Sequence, residues 1–169
     1  MIYLLDTNTF VEAKNRYYNM TVCPAYWQWL RQKFASNDVA SISMVGDELK
    51  KGDDELADWA KDYPALFIGV DDVGTQTCFA QIANLIVSQS AQMKAGAVED
   101  FLSGADPWLI AKAMATHGTV VTHEAYNPNA KRKFLIPNVC EQFGIDWMNT
   151  FDMLSRLEAR FILGVPVTT

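Results

Sequence analysis

Four apolar residues, Ile2 to Leu5, are closed at once by Asp6. A short apolar run with no turn residue before it reads as a strand buried on both faces, the mark of a parallel sheet. Thr7 and Asn8 then supply turn and helix-start chemistry. A parallel sheet has to cover both faces with helices, so this opening points to an α/β chain. It also sets a carboxylate at the carboxyl end of a strand, the edge at which open α/β sheets bind ligands. The rest of the sequence decides whether other carboxylates reach that edge.

Short apolar runs and amphipathic stretches alternate to the end. Strands are expected at Val39 to Ile42, Leu66 to Val70, Thr119 to Thr122 and Ile145 to Met148. Between them, helices are expected from Thr9 to Arg16, from Pro24 through Phe34, after a Ser43 cap with Gly52 at its end, and from Asp54 to Lys61. Further helices are expected over Thr75 to Ser90, Ala91 to Phe101, Pro107 to Gly118 and Phe151 to Phe161. In the clearest of them Asp106 is the N-cap, Pro107 stands at N1 and Gly118 at C′. This order implies one domain over residues 1–169, a sheet of four to five parallel strands with helices on both faces.

Composition excludes several classes. Half of the 169 residues are hydrophobic and a fifth are charged, as in an ordinary soluble globular domain. No apolar run approaches the roughly 20 residues of a membrane helix, and Asp6 interrupts the N-terminal run too early for a signal peptide. Cys23, Cys78 and Cys140 form no CxxC pair, which points to a reducing cytoplasm rather than a zinc or disulfide framework. A net charge of −6 argues against a general nucleic-acid coat. It leaves room for an enzyme that meets nucleic acid through a metal, because carboxylate ligands themselves make a chain acidic.

Four acids have comparable addresses. Asp6 ends the first strand, Glu48 lies in the helix after the second, Asp106 opens the helix running into the fourth, and Glu124 follows the fourth by two residues. Gathered at one edge they repel one another unless a cation intervenes, and hard ions such as Mg²⁺ and Mn²⁺ take such oxygen ligands. Each acid also has a plainer reading: an Asx-turn for Asp6, a solvated helix position for Glu48, an N-cap for Asp106, a loop charge for Glu124. Asp71-Asp72 read as a loop or helix start. His117 suits a helix C-terminus, His123 has no zinc spacing, and Cys140 has no His or Asp partner near it in sequence.

The motifs DTNTF (Asp6 to Phe10), ADPWLIA (Ala105 to Ala111), VVTHE (Val120 to Glu124) and IPNVC (Ile136 to Cys140) occur in this order. In them the chain resembles a PIN-like family of VapC-like ribonuclease toxins. The resemblance spans nearly the whole chain and implies an α/β/α sandwich of strand order 3-2-1-4-5. It implies Asp6, Glu48, Asp106 and Glu124 as catalytic and metal-ligating acids for Mg²⁺ or Mn²⁺, with Asn8 and Thr122 flanking them. It implies an RNA substrate and an antitoxin partner, and a homodimer is a further expectation. Two positions depart from the family pattern. The fourth acid is usually Asp in a Thr-Asn-Asp context and here is Glu124 after Thr122-His123. A further downstream Asp is replaced by Asn127 and Asn129.

The expected function is a metal-dependent endoribonuclease, with Lys131, Arg132 and Lys133 as candidate contacts to substrate phosphates. Two rivals are a PIN scaffold that binds RNA or protein without cutting, and a metal-dependent phosphatase, for which Asp6-Thr7-Asn8 lacks a second Asp. Tyr17, Tyr18, Tyr26, Trp27 and Trp29 make the first helices aromatic, as interfaces often are, so that surface is expected to meet the antitoxin or a second copy.

Overall fold

The computed structural model describes residues 1–162. Strand β1 is Tyr3–Leu5, β2 Val39–Ile42, β3 Phe67–Ile68, β4 Thr119–Val121 and β5 Trp147–Met148. All pair in parallel, in the order β3-β2-β1-β4-β5. Tyr3 faces Val39 on one side and Thr119 on the other, and Leu5 faces Val121. The opening apolar run is thus the central strand, with Leu4 and Leu5 fully buried. Order 3-2-1-4-5 is the expected one, in its five-stranded form.

Helices α1 (Thr7–Glu12), α2 (Pro24–Ala35), α3 (Ser43–Lys50) and α4 (Glu55–Asp62) lie within the β1-to-β3 half. Helices α5 (Val73–Ser88), α6 (Ala97–Ser103) and α7 (Asp106–Thr116) cross back from β3 to β4, and α8 (Ile136–Phe143) joins β4 to β5. Helix α9 (Thr150–Arg156) follows β5. Crossovers between parallel strands are right-handed, so reversing direction at β1 puts the two sets on opposite faces. Packing agrees: α5, α6 and α8 meet α7, which lies on β1, β2 and β4, whereas α3 meets α1 and α4. Leu109, Ile110 and Ala113 of α7 are fully buried in that layer.

Several boundaries differ from expectation for identifiable reasons. Pro64–Leu66 form a 3₁₀ turn, so β3 keeps two residues of the five expected. Ser43 is the first residue of α3 rather than its cap, and no side chain caps that helix. The stretch expected as one helix from Ala91 is divided, because Gly96 takes φ 87° and restarts the chain as α6. Asp106 stands inside α7 with Ala105 at the N-cap, and Pro107 comes second. At the far end of α7 the left-handed residue is His117 (φ 50°), not Gly118. Gly118 has another duty: a Cβ there would lie 2.9 Å from the Ile2 carbonyl oxygen beside β1. Helix α9 stops at Arg156, five residues early, and Glu158 takes φ 51°.

The aromatic start is divided. Tyr26 and Trp27 belong to the core, and Phe161 lies edge-on to the half-buried Trp29 at 6.0 Å. Tyr18 stacks on Tyr26 at 4.4 Å, while Tyr17 is exposed on a different surface. The chain makes this separation with a π turn over Ala13–Tyr17, in which the Tyr18 amide donates to the carbonyl of Ala13 five residues back.

Helix α3, which carries Glu48, reaches β3 through Gly46. A Cβ there would meet the Phe67 ring carbon Cγ at 2.6 Å. Overpacking costs about 1–3 kcal/mol, which outweighs the gain in helix propensity of about 1 kcal/mol from Gly to Ala. Gly46→Ala is therefore expected to lower stability in urea unfolding. In the Phe67→Leu background the same change is expected to cost less, because the two sites are in contact.

Candidate active site

Asp6 leaves β1 where the strand order reverses, between β1 and β4. This switch point is where a crevice opens at the carboxyl edge of such sheets. Asp6 occupies the N-cap of α1, yet its side chain makes no cap bond. Its Oδ2 instead accepts from the Thr122 hydroxyl at 3.0 Å, with Asn8 Nδ2 at 3.4 Å. Thr122 is fixed in turn: its amide donates to the Met148 carbonyl on β5, and its Oγ1 accepts from the Glu124 amide at 3.1 Å. Asp6 is only 2% exposed, and burial pushes its pKa up to about 6. The Thr122 hydroxyl and the Thr7 amide oppose that shift, while the charges of Glu124 and Glu48 add to it.

Asp106 opens α7 without capping it, and among the described residues no hydrogen bond steadies its carboxylate. Burial, then the charges of Asp6, Glu124 and Glu48, push it up to about 7, against a smaller opposite effect of Lys133. Glu48 is half-buried on α3 and accepts from the Thr7 hydroxyl. Glu124 is held most firmly. Its side chain, 10% exposed, accepts from the Ile136 amide at the start of α8 at 2.8 Å and pairs with the Lys133 ammonium. A carboxylate at a helix N-terminus is favourable in itself. Asp6 and Asp106 thus feel the charge of Glu48 and Glu124. As they stand, among the described residues, no three acid, histidine or cysteine side chains are close enough to share one ion.

The other candidates separate clearly. Of the basic triplet only Lys133 turns to the acids, while Lys131 and Arg132 are exposed. Asp72 caps α5 through the Thr75 amide and pairs with Lys112 at 2.6 Å, which holds its pKa well below the ordinary value. Cys140 is buried and its thiol is pushed up to about 12, far from a nucleophile. His123 Nε2 lies 3.0 Å from the Thr150 hydroxyl, and burial lowers its pKa.

Two participants escape sequence reasoning. Thr7 follows Asp6 directly, and a hydroxyl one step past a strand-end acid is the signal that could have marked it. Tyr17 stands with His123 beside Glu124 and Lys133, around a cavity of about 380 Å³. Helical periodicity cannot place it, because the π turn shifts the register just before it.

A parallel α/β/α sandwich of this strand order, with four acids around its switch point, defines a PIN-like fold. The chain belongs to the family described as "Domain of unknown function (DUF4411)", whose profile matches residues 3–161. Three solved structures share the fold. A chain of VapBC2 from Rickettsia felis, bound to a DNA fragment from its promoter, is 17% identical with a TM-score of 0.52, covering 88% of this chain and 98% of that one. A chain of VapBC-1 from nontypeable Haemophilus influenzae is 13% identical, with a TM-score of 0.53 and coverage of 88% and 98%. A chain of FitAcB from Neisseria gonorrhoeae is 18% identical, with a TM-score of 0.51 and coverage of 89% and 99%. No curated protein matches the sequence. Among the described residues no helix is long and apolar enough to cross a membrane.

The raised acids couple stability to pH. A carboxyl with a folded-state pKa above its unfolded value favours folding while protonated, and that contribution is lost as pH rises through the folded pKa. For Asp6 and Asp106 the loss falls between about pH 4 and pH 7. The chelated protein is therefore expected to melt lower at pH 7.5 than at pH 5. In Asp6→Asn, where the amide oxygen can still accept from Thr122, the drop shrinks by about 1–1.5 kcal/mol, since roughly one pKa unit of the Asp6 shift lies above pH 5 and one unit is worth 1.36 kcal/mol. Melting curves of both proteins in EDTA across this range measure it.

Proposed function

We propose that the chain is a Mg²⁺- or Mn²⁺-dependent endoribonuclease, the toxin of a toxin–antitoxin pair working in the cytoplasm. One observation carries this reading: Asp6 and Asp106, both in the switch-point crevice, are held above the ordinary carboxylate range by burial and by Glu48 and Glu124. Acids kept in such tension suit a task that brings in positive charge. The donor set is entirely hard oxygen, and Asp106, with no hydrogen bond among the described residues, is the ligand with the most to gain.

Asp6 and Asp106 are the residues that would hold the ion. Glu48, tied to Thr7, and Glu124, tied to α8, complete the site or orient water. A bound divalent ion supplies an activated water and charge stabilisation for in-line phosphodiester displacement. Thr122 and Asn8 keep the Asp6 carboxylate directed into the crevice. Lys133, 66% exposed at the rim, can exchange Glu124 for a substrate phosphate, with Lys131 and Arg132 in solvent beside it. The antitoxin partner and a homodimer are proposed because the structures sharing the fold are named as VapBC and FitAcB assemblies.

A PIN scaffold that binds without cutting is the second reading. It is favoured by the Lys133 ammonium, which already gives Glu124 a cation, and by the absence of three acids at ligating distance among the described residues. The two readings separate in one assay. The nuclease is expected to cut RNA with Mg²⁺ or Mn²⁺, to stop with EDTA, and to lose at least about 100-fold in Asp6→Asn and Asp106→Asn, about 2.7 kcal/mol of barrier. Mn²⁺ at a hundred times its dissociation constant is expected to stabilise wild type by about 2.7 kcal/mol and Asp106→Asn far less. Cutting that survives both EDTA and Asp6→Asn overturns the metal mechanism. Metal stabilisation without any cutting favours the scaffold.

A further inference from the structure

The cavity of about 380 Å³ beside the acids is lined by two ion pairs, Glu124 with Lys133 and Glu12 with Arg16. Asn8 and the rings of Tyr17 and His123 complete the lining. Tyr17 is 46% exposed, yet its ring is braced. Phe151 meets it edge-on, with centroids 4.9 Å apart at 83°, and His123 lies against it at 5.8 Å. His123 is itself anchored by the Thr150 hydroxyl and abuts Phe151 at 6.0 Å. Neither the hydrophobic core nor the metal site needs this arrangement. Tyr18, the next residue, is the one that packs against the core, stacked on Tyr26, while the π turn leaves Tyr17 outside it.

A braced aromatic ring with an exposed face, at the edge of a cleft that also offers guanidinium and ammonium groups, matches the way single-stranded nucleic acid is held. Bases stack on aromatic side chains while cations follow the backbone. We propose that Tyr17, backed by Phe151 and His123, is the platform on which an unpaired base of the RNA stacks next to the phosphate to be cut. Arg16, now paired with Glu12 at 3.2 Å and largely exposed, contacts the neighbouring phosphate. This inference rests on the ribonuclease reading and adds the side chains that seat one base beside the acids.

The test is binding of single-stranded RNA decamers in the Asp6→Asn background, where the decamer stays intact, alongside cutting of the same decamer by the Asp6 protein with Mn²⁺. One decamer is complete, and in the others a single abasic ribose is moved along the strand. Tyr17→Ala is expected to weaken binding of the complete decamer about tenfold and Tyr17→Phe to leave it unchanged, in line with the usual worth of one stacked base. One abasic position is expected to weaken binding by a similar factor and to make Tyr17→Ala silent. A 2-aminopurine at that position is expected to be quenched by the Tyr17 protein and not by Tyr17→Ala. Unchanged affinity in Tyr17→Ala, or losses from Tyr17→Ala and from every abasic position that simply multiply, overturns the platform while cutting by the Asp6 protein keeps the ribonuclease. A protein that neither binds nor cuts the decamer overturns both. Tyr17 is exposed, and an unchanged melting curve for each variant confirms that folding is not the cause.

Discussion

The hydrogen bond from the Thr122 hydroxyl to Asp6 is the point on which the site turns. It joins the residue after β1 to the residue after β4, across the gap where the sheet reverses direction. A hydrogen bond to a charged group is worth about 1.5–3 kcal/mol, less than burial costs an ionised carboxylate. Burial accordingly prevails over Thr122 in setting the Asp6 pKa. Thr122 governs direction rather than charge. It takes the carboxylate away from the α1 amides that an N-cap would serve and turns it toward the crevice.

The other acids show how a fold can assemble charge without letting it collapse. Glu48 and Glu124 are each tethered by a neighbour that costs the structure little: the Thr7 hydroxyl, and the start of α8 with Lys133. Asp106 has no such tether among the described residues and carries the largest upward shift. The tethered pair is set in place by donors, and the untethered residue has the most to gain from a cation. The same reasoning explains why Glu serves at 124. The longer side chain spans from the β4 end to the Ile136 amide while keeping its charge felt at Asp6 and Asp106.

Much of this was legible in the sequence. Apolar runs placed all five strands, while the order 3-2-1-4-5 came from the resemblance carried by the four motifs. Strand-end and helix-start addresses brought the four acids to one edge. What escaped depends on contacts between residues far apart in the chain. Asp106 before Pro107 has the local pattern of a cap, but Ala105 takes that place. Gly118 has the pattern of a helix stop, but the approach of Ile2 claims it, and His117 adopts the left-handed turn instead. Tyr17 and Tyr18 are neighbours with opposite destinations, because one π turn breaks the 3.6-residue period on which such assignments rest.

The central strand is also the first to be made. Asp6 and Thr122 are 116 residues apart, and β1 finds its β4 partner only when β4 exists. At ribosomal rates of roughly 5–20 residues per second, something like ten seconds separates the two. During that interval β1 can pair with β2 alone, and the crevice has one wall. Pairing over such distances also pays the entropy of closing a long loop, which makes it a late step in folding. A chain built in this order keeps Asp6 and Glu48 without Glu124 until β4 has been made.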